Sequence, residues 1–221
     1  MRKDSVDTSF HRDNVKSGLD HESSNIKGNS RYTLANFAGL FDPNIKKVKT
    51  VSLGGKRFLF EKFIASLGIE IDATCYEMDT KVLPIAKKNK PKYVKLEEKN
   101  IFSYRYMANE NIIWFDFMCF LSTININQLI RYIEKSKFRH SFTFAFTYTI
   151  DPRRDTKGII EQYEKDFPKY KESGVVDHIS KVIEKSGVVK VTDSIIVHYK
   201  NKDVSPSAMQ MGLYMLKIEK K

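Results

Sequence analysis

Between residues 48 and 148, short β-branched or apolar runs alternate with segments of helical period, and few folds accept that order. Val48–Leu53, Ile71–Tyr76, Tyr93–Leu96, Asn111–Phe117 and Ser141–Tyr148 read as strands. Phe58–Leu67 reads as a helix, with apolar Phe60, Phe63, Ile64 and Leu67 and a glycine, Gly68, just past its end. Val82–Lys88 and Ile124–Ser136 follow the same helical spacing. Strand–helix–strand units with right-handed crossovers give parallel strands and helices on both faces. Asn111–Phe117 is nearly all apolar, as a central strand buried on both faces must be. Ile159–Glu184 reads as mostly helical, broken around Pro168 and Gly174. Ser194–Tyr199 and Met211–Ile218 then follow with no helix between them, so they should pair as a hairpin at one edge. The expectation is an α/β fold: a doubly wound, mainly parallel seven-stranded sheet with a C-terminal antiparallel hairpin.

Residues 1–30 lack apolar periodicity and are rich in Ser, Asn, Asp and Gly, which predicts a disordered tail before a domain over 31–221. Tyr32, Leu34, Phe37, Leu40 and Phe41 predict a short amphipathic helix that stops near Asp42-Pro43. The longest apolar run, Ile112–Leu121, is interrupted by Asp116 and falls short of the roughly 18 residues of a membrane span. Met1–Phe10 has no apolar core, so no secretory signal is expected. Two separated cysteines, Cys75 and Cys119, and five scattered histidines form neither a disulfide framework nor a metal-ligand pattern. A cytoplasmic protein without a metal is expected. The net charge is +11, and the first 30 residues contribute nothing to it, with five basic and five acidic residues. The surplus therefore belongs to the domain and points to a polyanionic partner, nucleic acid first.

In an open parallel sheet, ligands bind outside the carboxyl ends of the strands. Ser52-Leu53-Gly54-Gly55 ends the first strand, and its two glycines allow a sharp turn and close approach to a ligand. Glu77 ends the second, roughly 20–25 residues further on, where a carboxylate can accept hydrogen bonds from both hydroxyls of a ribose. Alternatively it is a solvated acid beside a helix that Asp79 caps. Asp116 ends the fourth strand among Trp114, Phe115, Phe117 and Phe120. A carboxylate in so apolar a setting is costly unless it is paired or used. Phe117, past the polar end of that strand, is either a stacking platform for a base or simply core. After the fifth strand, Arg153 and Arg154 stand where they could grip phosphate. Lys87 and Lys88 belong to a second basic cluster with Tyr93, Tyr104 and Tyr106 nearby.

Taken together, these residues resemble the class I S-adenosylmethionine-dependent methyltransferases, over about residues 45–221 and in architecture and spacing. Ser52, Gly54 and Gly55 match part of the family's glycine-rich turn, Glu77 its second motif and Asp116 its fourth. Asn100 in Glu98-Lys-Asn-Ile-Phe102 is the candidate for the third. The resemblance implies S-adenosylmethionine as cofactor. It places Ser52, Gly54 and Gly55 at the methionine part, Glu77 at the ribose, Asn100 at the adenine and Asp116 at the reacting group. It implies methyl transfer; the basic surplus makes nucleic acid the expected acceptor, RNA ahead of DNA. Three departures keep a second expectation alive, an inactive methyltransferase-like module that binds nucleic acid or protein. Ser52 replaces the usual acid, only two glycines stand together, and Asp116-Phe-Met-Cys119 lacks the proline of the DNA amino-methylating enzymes. Cys119 is expected to be a core thiol rather than a nucleophile.

Overall fold

A computed structural model describes residues 25–120, 123–150, 173–200 and 210–221. In chain order the elements are α1 (Asn25–Phe37), β1 (Lys47–Leu53), α2 (Leu59–Ser66), β2 (Glu70–Tyr76), α3 (Leu83–Asn89), β3 (Val94–Glu97), a 3₁₀ turn (Ile101–Ser103), β4 (Ile112–Phe120), α4 (Thr123–Ser136), β5 (Phe142–Ile150), α5 (Ser173–Glu184), β6 (Val189–Lys200) and β7 (Gln210–Lys220). The seven strands form one sheet in the order β3-β2-β1-β4-β5-β7-β6. The first five run parallel, while β7 pairs antiparallel with both β5 and β6. This is the expected doubly wound sheet with its closing hairpin.

Period-2 alternation splits the strand side chains between two cores. Ile113, Phe115 and Phe117 of β4 point to an aromatic core with Phe138, Phe142, Phe144, Phe146 and Tyr148, beneath α4 and α5. Ile112 and Trp114 point the other way, to a core with Val48, Cys75, Phe58, Phe60 and Ile64, beneath α2 and α3. Fully burying each large apolar side chain stabilises the fold by roughly 1.5–3 kcal/mol, so these two faces hold the sheet in place.

Local signals explain most element ends. Gly68 takes φ 78°, the left-handed conformation that closes a helix, and its N–H bonds the Ala65 carbonyl at 3.1 Å. Pro84 sits in the first turn of α3, where its missing N–H costs nothing, and Lys87 and Lys88 favour the negative end of that helix. At the foot of the sheet, Glu110 is 1% exposed and accepts from the Met107 N–H at 2.9 Å and from the Tyr104 hydroxyl. Tyr106 meets His140 there, tying the approach to β4 to the approach to β5.

Two expectations shift. Among the described residues a helix already runs from Asn25, and Ser30 is buried, so the tail boundary expected at residue 30 falls inside a helix. Residues 1–24 lie outside the described residues. The sixth strand starts at Val189, five residues before the sequence pattern shows it, because Thr192–Ser194 on this edge strand face solvent and carry no apolar alternation.

Candidate functional site

β1 lies between β2 and β4 in the sheet, so the connection after β1 goes one way and the connection after β4 the other. A crevice opens at such a switch point, above the carboxyl ends of the strands. Register brings the candidate residues to this rim. Ser52 pairs with Cys75 of β2 on one side and with Trp114 of β4 on the other. Gly54 and Asp116 stand two residues beyond the paired Ser52 and Trp114. Asp116 has the parity of Trp114, so it shares the α2 face of the sheet with Ser52. The β4–β5 pairing becomes irregular between Asp116 and Phe120, which re-aims the backbone just past the acid. Asp116 itself is half-buried.

The turn after β1 is packed more tightly than its glycines suggest. A Cβ on Gly54 would lie 2.7 Å from the Cys75 Cβ and 2.7 Å from the Phe58 ring, so only glycine fits. Gly55 takes φ 55°, and Phe58, the residue before α2, takes φ 54° although it is aromatic and fully buried. A bulky residue holds the left-handed region only when its surroundings dictate it. Lys56 and Arg57 lie between them; Lys56 is half-buried, Arg57 is exposed, and the Lys56 carbonyl accepts from the Asn89 amide at 2.9 Å. Ser52 is 1% exposed. Its hydroxyl donates to Glu61 Oε1 at 2.5 Å and lies 3.4 Å from Cys75 Sγ. Burial, and then the Glu61 charge, push the Cys75 thiol well above its ordinary value. Ser52 therefore faces an inward carboxylate, and the backbone of Gly55–Arg57 is what the turn offers a ligand.

The turn after β2 has the opposite character. Glu77 is 9% exposed, and its Oε1 accepts from the Met78 and Asp79 N–H groups at 2.9 and 2.8 Å. Those bonds fix the carboxylate at the strand end, while Met78 beside it is 53% exposed. Asp79 shapes the turn before α3 rather than capping the helix: its Oδ1 receives the Lys81 N–H at 2.8 Å and its carbonyl the Leu83 N–H at 2.9 Å, while the residue at the helix start, Val82, brings no side-chain cap. After β3, Asn100 caps the 3₁₀ turn through Oδ1, which accepts from the Phe102 N–H at 2.9 Å. A hydrogen bond from Asn100 to an adenine would thus come from its amide N–H. Glu97, next along the rim, is held below the usual carboxylate range by hydrogen bonds from Lys95 and then Lys99.

Phe117 is 5% exposed and stacks on Phe102 and Tyr148 at centroid distances of 5.3 and 5.2 Å. It packs within the aromatic core. Lys87 and Lys88 are exposed at the end of α3, with Lys87 Nζ 2.7 Å from Glu98 Oε1. Arg153 and Arg154, and the side chain of Cys119, lie outside what is described. The residue that sequence reasoning missed is Glu61, 1% exposed. Its one signal was position: it stands three residues before Ile64, on the stripe of α2 that faces the sheet.

Neither a protein-family model nor a curated protein sequence matches the chain. Solved structures do. A protein from Pyrococcus horikoshii, provisionally described as an RNA methyltransferase, superposes with TM-score 0.56 at 12% identity, covering 87% of this chain and 84% of that one. TYW2 from M. jannaschii, solved with AdoMet, gives 0.54 at 13% identity over 90% and 78%. The N-methyltransferase NodS from Bradyrhizobium japonicum, solved with S-adenosyl-L-homocysteine, gives 0.56 at 8% identity over 95% and 96%. The chain has the class I S-adenosylmethionine-dependent methyltransferase fold. Among the described residues no helix is long and apolar enough to cross a membrane, and no three His, Cys, Asp or Glu side chains converge on one point.

Proposed function

We propose that this chain is an S-adenosylmethionine-dependent methyltransferase that acts on nucleic acid, RNA ahead of DNA. The observation that carries the reading is Glu77, a carboxylate fixed at the end of β2 beside the glycine turn of β1, within a sheet of this order. The donor set suits the cofactor: an acid for a ribose diol, a capped amide for an adenine edge, and a backbone turn flanked by Lys56 and Arg57 for a carboxylate. The net charge of +11 and the RNA methyltransferase description of the Pyrococcus neighbour support a nucleic-acid substrate.

S-adenosylmethionine, when bound, supplies an electrophilic methyl group on a sulfonium. The chain's residues do the rest. Glu77 accepts hydrogen bonds from the ribose hydroxyls and so sets the depth at which the cofactor lies. Gly55 lets the backbone approach the methionine part. Asp116, on the neighbouring strand, faces the acceptor, orients it and takes the proton it releases at a carboxylate oxygen. Lys87, Lys88, Arg153 and Arg154 contact phosphates and position the substrate without reading its sequence.

Titration calorimetry with S-adenosylmethionine and its demethylated product tests this reading, followed by transfer of labelled methyl to RNA and DNA. Binding that Glu77→Ala removes is the expected result; binding at full affinity in that variant would refute the assignment of Glu77. One observation favours the second reading, a module that binds nucleic acid without catalysis. Phe58 and Ser52, both in or beside the turn, are spent on core packing and on Glu61. RNA affinity that is indifferent to the cofactor, with no methylated product, would decide for it.

A further inference from the structure

Glu61 is a carboxylate with 1% exposure on a helix that otherwise buries Phe60 and Ile64. Burial of such a group is costly unless hydrogen bonds compensate it, and a bond to an ionised partner is stronger than a neutral one. Its Oε1 receives the Ser52 hydroxyl at 2.5 Å, so α2 is tied to the last buried residue of β1. Cys75 of β2 closes the same group, 3.4 Å from the Ser52 oxygen. The chain between Ser52 and Glu61 contains the whole ligand-approach turn. That turn has left-handed residues at Gly55 and Phe58, and its closing bond, from the Phe58 N–H to the Gly54 carbonyl, is 3.2 Å long. A loop with an aromatic residue in the left-handed region needs both ends held.

We propose that Glu61 is the positioning residue of the β1–α2 turn: its bond to Ser52 clamps the two ends of the loop and so fixes the backbone of Gly55–Arg57 that would meet the ligand. The clamp is a property of the turn, whereas the identity of the ligand rests on the function proposed above. Glu61 touches neither ligand nor reacting atoms in this role. It acts through Ser52 and through the start of α2.

Hydrogen-exchange mass spectrometry on the full chain tests the clamp without any ligand. Ser52→Ala removes the donor, Glu61→Gln removes the charge, and Ser52→Thr keeps a hydroxyl. Exchange over residues 53–60 should rise at least tenfold in Ser52→Ala and Glu61→Gln, while exchange in β7 stays unchanged. The double variant should be no faster than the faster single one, because Ser52→Ala removes and Glu61→Gln weakens the same bond, and Ser52→Thr should restore protection. A uniform rise across the chain, no rise at all, or additive effects in the double variant would each overturn the clamp. S-adenosylhomocysteine titration is the second readout, with at least tenfold weaker binding expected in both single variants. If the wild-type chain binds none, the functional reading fails and the exchange pattern alone judges the clamp. If the wild type binds and the variants bind equally well, the positioning role is refuted.

Discussion

The two turns that flank the proposed cofactor crevice are built on opposite principles. The turn after β1 is inward: Gly54 has no room for a methyl group, Phe58 is fully buried in a left-handed conformation, and Ser52 is bonded to a buried carboxylate. The turn after β2 is outward: Glu77 organises its own loop through two backbone N–H groups, and Met78 next to it is exposed. In the first, residues of a binding motif are held by the core. In the second, a largely buried acid is held by its own loop beside an exposed residue. A change at the second turn should therefore be felt mainly in binding and in its own loop, whereas a change at the first turn is felt by the whole fold.

That contrast orders the expected effects. Gly54→Ala should be the most damaging, since the new methyl meets Cys75 Cβ and the Phe58 ring, both at 2.7 Å. Overpacking of this kind costs about 3 kcal/mol and should lower the thermal midpoint by about 6–12 °C. A loss under about 1 kcal/mol would mean that the first turn is as open as the second. Glu77→Ala should lower stability by only about 1–2 kcal/mol, the two loop hydrogen bonds, while cofactor binding falls at least tenfold. Equal losses in both measurements would erase the distinction between the turns.

The Cys75 thiol gives a pH test of the inward turn. Its folded value lies above its unfolded one, so the unfolded chain loses that proton first. Its contribution to stability is complete below the unfolded thiol value and declines as pH rises through it. Above the unfolded thiol value, about 8.5, this group alone should add a downward slope of at most about 1.4 kcal/mol per pH unit, absent in Cys75→Ala. Denaturant titrations at several pH values would show it, and identical slopes in the two proteins would contradict the buried setting. The smallest effect belongs to the outer rim. Lys87 and Glu98 form a 2.7 Å pair with both side chains more than half exposed, so Lys87→Ala should leave stability unchanged. It should reduce the salt slope of RNA binding by about one phosphate contact.

The fold was legible because the parallel strands are short apolar runs and the helices between them carry a regular stripe. β4 announced itself as central through Ile112-Ile-Trp-Phe115, and α2 through Phe60, Phe63 and Ile64. Legibility failed where tertiary contact overrides local pattern. Asn25–Ser30 has poor helix formers and still belongs to a helix whose Leu34 and Ala35 are fully buried. Thr192–Ser194 is polar and still part of a strand, because the pairing with β7 supplies the hydrogen bonds. At the site, Glu77 could be found by its place at a strand end; the sequence pattern puts Asp116 at one too, but β4 continues four residues past it to Phe120. Glu61 could not be found, because glutamate in a helix is usually solvated and only the packing of α2 on β1 turns it inward. Phe117 left two readings open in the sequence, and a strand that continues to Phe120 carries it into the aromatic core.

The central claim is that the crevice above β1, β2 and β4 holds S-adenosylmethionine through Glu77. Calorimetric titration of the full chain with S-adenosylmethionine and S-adenosylhomocysteine, beside Glu77→Ala, tests it most directly. A dissociation constant in the micromolar range, about −8 kcal/mol, that weakens at least tenfold in the variant is the predicted result. No heat from either ligand, together with an unchanged thermal midpoint, would contradict it.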